Sequence, residues 1–227
     1  MGHDMKGVYR LGGIGFITSG ALFLVRYLLD LVAGPPPSSG TDILVWVHAG
    51  KTSLAFGNEA LFFATMSLIP GVVALYHSLA RFEQTKAVIG CGIIAAAVPV
   101  LAMLDIVHGR LVYPVYGLQV STPAVAELVV AIFYGGLHAA GILLGVATIV
   151  LSLAMMHGVY GRGIAYLGFA AGVGDFIGAY PDAIGLLVML VCQILFAAWF
   201  VALGVALGRM ASRQDPILSS GRFSDGA

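Results

Sequence analysis

The sequence predicts an all-α membrane protein, a bundle of six transmembrane helices with both termini on the cytoplasmic side. Three observations carry that reading. The 227-residue chain is 59% hydrophobic and only 10% charged, with a mean hydropathy of +0.98, whereas a soluble domain carries about 25% charged residues. Its apolar residues fall into an even number of runs long enough to cross a bilayer, which takes about 20 residues each. Its basic residues divide unequally between the two sides those runs define.

The runs are Val8 to Val32, Gly57 to Ala80, Lys86 to His108, Pro123 to Met156, Arg162 to Tyr180 and Ile184 to Met210. Lys6 and Arg10 precede the first and give it the look of a signal peptide. Arg26 and Asp30 continue one face of it and no small-residue cleavage site precedes them, so it reads as a retained span. The Pro35–Pro36–Pro37 linker excludes helix. Beyond it, Ile43 to Phe56 mixes Trp46, His48 and Lys51 with apolar residues, the composition of a short interfacial helix, with Gly57 and Asn58 as the expected joint to the second span.

With the N-terminus inside, Lys6, Arg10, Arg81, Lys86, Arg162, Arg209, Arg213 and Arg222 are cytoplasmic, against Arg26, Lys51 and Arg110 outside. That bias predicts residues 1–211 as one six-helix domain and 212–227 as a disordered cytoplasmic tail. Lysine plus arginine equals aspartate plus glutamate at 11 each, which argues against nucleic acid as a partner. Cys91 and Cys192 sit in apolar runs and read as small core residues. Gly141-x-x-x-Gly145, Gly168-x-x-x-Gly172, Gly174-x-x-x-Gly178 and Gly204-x-x-x-Gly208 have the spacing that lets membrane helices approach closely, within the bundle or between copies in a homo-oligomer.

Intramembrane charges are costly and normally face a bundle interior or a water-filled cavity. At about 1.5 Å per residue, Asp105 lies about 28 Å from the cytoplasmic end of its span, and Asp175 about 20 Å. Glu59 and Glu127 open the second and fourth spans from the outside. Glu127, Tyr134, His138, Gly141, Gly145 and Ser152 share one helical face, and Pro70 is expected to kink the second span. These placements predict an outward-facing polar cavity built from Glu59, Asp105, Glu127, His138 and Asp175, with Asp105 and Glu127 facing each other above His138. Arg26 and Asp30 read as an i,i+4 pair near the interface, His108 and Arg110 as interfacial, His77 and His157 as flanking cytoplasmic loops, and Asp182 as a turn carboxylate.

The stretches MKGVYRLGGIGFITSGALFLV, LHAAGILLGVATIVLSLAMMHGVYGRGIAYLGFAAGV and LFAAWFVALGVALGRM resemble the domain-of-unknown-function family 4386 of six-helix bacterial and archaeal membrane proteins. The resemblance implies a six-span fold in the cytoplasmic membrane and transfers no activity. Where that family's pattern has a proline before the fifth span, this chain has Gly161, Arg162 and Gly163.

The functional expectation is a lipid-embedded protein that binds or transports a small solute, cation or proton. A second reading is a membrane-embedded metal-dependent enzyme with ligands drawn from Asp105, His108, Glu127, His138 and Asp175, although no His-Glu-x-x-His signature is present. A third is a haem-b protein, with His48 and His108 outside and His77 and His157 inside. A fourth is a non-catalytic assembly subunit. The sequence specifies neither cofactor nor substrate.

Overall fold

A computed structural model describes residues 2–156, 158–180 and 184–213, without the side chains of residues 2–4. The expectations for His157, Asp182 and residues 214–227 fall outside the described residues. Six helices follow in order: α1 (Gly2–Ala33), α2 (Gly40–Ala49), α3 (Lys51–Val112), α4 (Pro123–Met155), α5 (Arg162–Gly178) and α6 (Leu186–Arg213). Ser212 and Arg213, expected in the tail, are the last residues of α6.

α1, α3, α4 and α6 are long and apolar enough to cross a membrane, whereas α5 has 17 residues. The bundle's outer surface is apolar as well, with Leu11, Ile14, Phe63, Met103 and Leu128 each more than half exposed. A soluble monomer does not carry so extended an apolar surface. The chain therefore has the build of a helical membrane protein.

At 62 residues, α3 is broken by one non-helical residue, Glu83, at φ −142° and ψ 64°. Its two arms, 51–82 and 84–112, fold back on each other, since Asn58 in the first hydrogen-bonds His108 in the second at 2.7 Å. Lys86 Nζ lies 3.0 Å from Glu83 beside the break. Pro70 and Pro99 both keep helical dihedrals, so the chain turns where the sequence is polar and not at either proline.

The short helix after the first span is present but ends earlier than expected. Ser39 Oγ accepts from the Asp42 N–H at the start of α2, and Gly50 closes it with its own N–H donated to the Trp46 carbonyl at 2.8 Å. α3 then runs unbroken through Gly57 and Asn58, which form no joint. Gly57 is small because the Arg26 side chain lies directly against its backbone. The Trp46 indole N–H donates to the Ala33 carbonyl at 2.8 Å and ties α2 to the end of α1. Between α3 and α4, Val115 and Leu118 exchange two backbone hydrogen bonds around Tyr116 and Gly117, both at positive φ, the geometry of a two-residue hairpin turn.

α1 packs against α3 and α6, α3 against α4, α4 against α5, and α5 against α6. Phe16, Phe23, Phe196 and Phe200 interlock between α1 and α6, with Trp199 beside them. The glycine motifs are consumed inside the bundle. A Cβ on Gly13 would stand 2.7 Å from the Gly204 carbonyl oxygen, and one on Gly172 would stand 3.0 Å from that of Gly145. Backbone therefore touches backbone at the α1–α6 and α4–α5 crossings.

Gly204→Leu should destabilise the protein by about 1–3 kcal/mol by overpacking the α1–α6 crossing. Gly92→Ala, where nothing stands within 4 Å of an added Cβ, should leave stability unchanged. Thermal unfolding in detergent micelles, followed by loss of helical circular dichroism, separates the two. Equal midpoints would refute the close crossing.

Candidate functional site

The ionisable residues expected in the site fall into separate groups, and Arg26 anchors the first. Arg26 is 5% exposed, although it sits in the apolar body of α1. It forms an ion pair with Asp30 one turn further along the same helix. Its guanidinium carbon lies 5.4 Å from the centroid of the Phe133 ring of α4, within the range of a cation–π contact. A second guanidinium nitrogen, Nη2, is buried without a hydrogen-bond partner. The expected i,i+4 pair is present, with its arginine buried inside the bundle.

His108 stacks on the other side of this core. It is fully buried, and its ring centroid lies 4.1 Å from that of Phe133. Its Nδ1 meets the Asn58 carbonyl oxygen at 2.7 Å. A carbonyl can only accept, so Nδ1 carries the proton and Nε2 of the neutral ring is an acceptor. Nε2 is buried and unpartnered, as is the Asn58 amide nitrogen. His108, expected to ride at the interface, is thus enclosed by the bundle itself.

Asp105, one turn before His108, is half-buried, and its Oδ1 is buried without a partner. Arg26 attracts it and Glu59 repels it electrostatically. Glu59 is exposed and accepts a hydrogen bond from the Tyr113 hydroxyl at 3.1 Å; that hydroxyl also reaches the Ala55 carbonyl at 2.8 Å. Burial, with the Glu59 carboxylate beside it, pushes the Tyr113 phenol up to about 12. It therefore stays protonated, and a donor, throughout the physiological range.

Glu127 does not join this group. Leu104 covers Gly136 and Gly90 meets Leu151, so the second arm of α3 and α4 run antiparallel in a definite register. That register places Glu127 level with Tyr113 and about 13 Å along the axis from Asp105. The exposed Glu127 carboxylate instead accepts the Gly40 N–H at 2.6 Å, at the start of α2, where a negative charge complements a helix N-terminus. The expected opposition of Asp105 and Glu127 is thus replaced by a helix cap.

His138 and Asp175 form the second group, between α4 and α5. His138 Nδ1 donates to the Ala179 carbonyl at 2.5 Å, and its ring meets Tyr180 edge to face. Asp175 packs beside Gly145, with Oδ2 buried and unpartnered. The α4 stripe of His138, Gly141, Gly145 and Ser152, expected on a face that lines the polar cavity, is the face on which α5 packs, with Gly145 against Gly172 and Ser152 against Gly168. Small residues there serve close approach.

Among the described residues, no three His, Cys, Asp or Glu side chains stand close enough together to hold a metal ion. Asp105, His108, Glu127 and His138 are therefore not gathered into a metal centre, the first two belonging to one group and the others to separate contacts. Two surface grooves, of about 490 and 450 Å³, have almost wholly apolar linings that include no residue of the Arg26 group. Arg26 and Asn58, absent from the expected site, complete it. Their sequence signals were a cation within an apolar run and the polar pair Asn58–Glu59 breaking another. No family model, curated protein or solved structure matches the chain.

Asp30→Asn should destabilise the fold by about 3–5 kcal/mol, because it strips the buried guanidinium of its one hydrogen-bonded counter-charge. Asp105→Asn, which breaks no ion pair with Arg26, should cost less than about 1 kcal/mol. Chemical denaturation in mixed micelles would rank them. The reverse order would make Asp105 the structural counter-ion.

Proposed function

We propose that the protein is a six-span bundle of the cytoplasmic membrane, with both termini inside, that binds or transports a small solute, cation or proton at the Arg26–Asn58–Asp105–His108 cluster. The six spans are α1, the two arms of α3, α4, α5 and α6. Three observations support this count: the break at Glu83, the length of α3, at about 93 Å far beyond a hydrocarbon core of about 30 Å, and the eight-to-three division of basic residues between the sides. It is also the layout implied by the resemblance to family 4386.

One observation carries the functional reading. Of seven buried side-chain polar atoms without a hydrogen-bond partner among the described residues, four belong to this cluster on α1 and the two arms of α3: Arg26 Nη2, Asn58 Nδ2, Asp105 Oδ1 and His108 Nε2. Each such group costs about 1–3 kcal/mol, and more when charged. A packing core would not gather four of them, whereas a binding site keeps valences open for its ligand.

Asp105→Asn should leave folding nearly intact and abolish any pH- or cation-dependent rise in melting temperature. Scanning the wild-type and variant proteins across pH and across added salts of small cations and organic solutes tests this. A wild-type midpoint indifferent to all of them would remove the binding reading. Reporter fusions at Ala227 and within residues 35–40 should label opposite sides of the membrane; labelling on the same side would remove the topology.

A further inference from the structure

We propose that the groove between the two arms of α3 seats an acyl chain of an anionic phospholipid, whose phosphate is held at Arg81 where the groove opens toward the break at Glu83. The proposal rests on the six-span topology for one point, that the lipid comes from the cytoplasmic leaflet.

The groove has a volume of about 450 Å³ and is lined by Val73 and His77 of the first arm and by Val88, Gly92 and Ala95 of the second. Val73, His77 and Arg81 follow one another at intervals of four, so they stand in one ridge along the first arm, and all three are exposed. Arg81 is the next side chain of that ridge beyond the groove. At about 1.5 Å per residue, the groove lies about 8 to about 18 Å from Glu83, and Arg81 about 3 Å from it. A phosphate at Arg81 therefore leaves the chain attached to it running along the ridge into the groove. On the opposite wall Gln84, four residues before Val88, brings an exposed amide to the same end, and its N–H groups can donate to a phosphate oxygen.

Charge selects the headgroup. Lys86 lies 3.0 Å from Glu83, and the two cancel. Among the described residues Arg81 makes no ion pair, so its guanidinium is the net positive charge of the turn. A guanidinium matches a phosphate with two parallel hydrogen bonds. A zwitterionic headgroup would bring its own cation beside Arg81, whereas a net negative one brings none.

Shape selects a chain. Nothing stands within 4 Å of a Cβ added at Gly92, so one wall of the groove is open space. A spanning helix of a second copy would need a seam of about 30 Å, and the groove runs for about 10 Å. The groove between α5 and α6 is apolar as well, but Arg162, the nearest basic residue along α5, is seven residues and about 10 Å before Phe169 at its end. That groove can take a chain without holding its headgroup.

Native mass spectrometry of the full-length protein in detergent, with phosphatidylglycerol or phosphatidylcholine of the same acyl chains added, tests the proposal. The wild-type protein should retain one phosphatidylglycerol in preference to phosphatidylcholine. Arg81→Gln should weaken that retention about fivefold, the worth of one cation near a lipid surface, and Arg81→Lys should restore most of it. Gly92→Leu should lower phosphatidylglycerol retention to the phosphatidylcholine level with an unchanged melting midpoint, and Ala170→Leu in the other groove should change nothing. Should Gly92→Leu fail to fold, the Arg81 pair decides. Equal retention of the two lipids, a preference that survives Arg81→Gln, or an equal loss in Arg162→Gln, which would mean a diffuse basic surface, would each overturn the proposal. So would a lipid-independent dimer that Gly92→Leu dissociates, since a second copy would then fill the groove. Retention in detergent does not depend on which side of the membrane the turn occupies. Same-side labelling in the fusion experiment would therefore remove the assignment of the leaflet and leave the site, whereas unselective retention with opposite-side labelling would remove the site and leave the topology.

Discussion

A guanidinium buried inside the bundle dictates much of the surrounding architecture. Removing an unpaired charge from water costs several kcal/mol even after relaxation, so every element near Arg26 contributes to offsetting it. Asp30 supplies the counter-charge from one turn away. Phe133 of α4 offers its ring face. Gly57 of α3 has no side chain because the guanidinium occupies that space. Three helices are thereby held in register by one side chain, and the aromatic ring that receives Arg26 also stacks His108. The polar cluster and the packing of α1, α3 and α4 are one feature.

Elsewhere the bundle is held by contacts of a different kind. Lipid tails are as apolar as leucine, so burying leucine between membrane helices gains little, and close van der Waals approach must do more. Gly13 against Gly204 and Gly145 against Gly172 bring backbones into contact at two crossings. Large aromatics fill the space between α1 and α6. The α4–α5 crossing leaves Asp175 Oδ2 and the His138–Ala179 bond as its polar content. At the other end of the bundle, Tyr160, between α4 and α5, shares a hydrogen bond of 2.5 Å with Ser78 of α3. Burial raises the Tyr160 phenol's affinity for its proton, so the contact stays neutral.

Outside the cluster the described residues leave single buried polar atoms without a partner, Ser19 Oγ, Asp175 Oδ2 and Trp199 Nε1, one on each of three helices. Ser78, Thr65 and Ser152 are buried, and each returns its hydroxyl to a backbone carbonyl of its own helix. Isolated polar residues in an apolar bundle can do this at little cost. Asn58 and His108 do not, because their polar atoms meet each other across the arms of α3, and Asp105 Oδ1 meets no partner at all. The hydrogen bond between Asn58 and His108 settles part of their need.

The apolar runs, their lengths and the polar punctuation between them were legible in the linear chain, because helix formation and lipid exposure depend on local composition. So were the arrest of helix by the prolines at 35–37 and the presence of charge near the C-terminal ends of the first and third runs. Depth along a helix is likewise a matter of counting. Which charges meet is not, since it depends on the register between neighbouring helices and on their rotation about their axes. Packing of Leu104 over Gly136 and of Gly145 on Gly172 set those two quantities. That packing carried Glu127 away to cap α2, turned His138 toward α5, and brought Arg26 and Asn58, which had looked like an interfacial charge and a joint, into the group around Asp105 and His108. The sequence by itself determined a helical chain built for lipid; only the tertiary structure decided which of its few polar atoms would be left facing one another without partners.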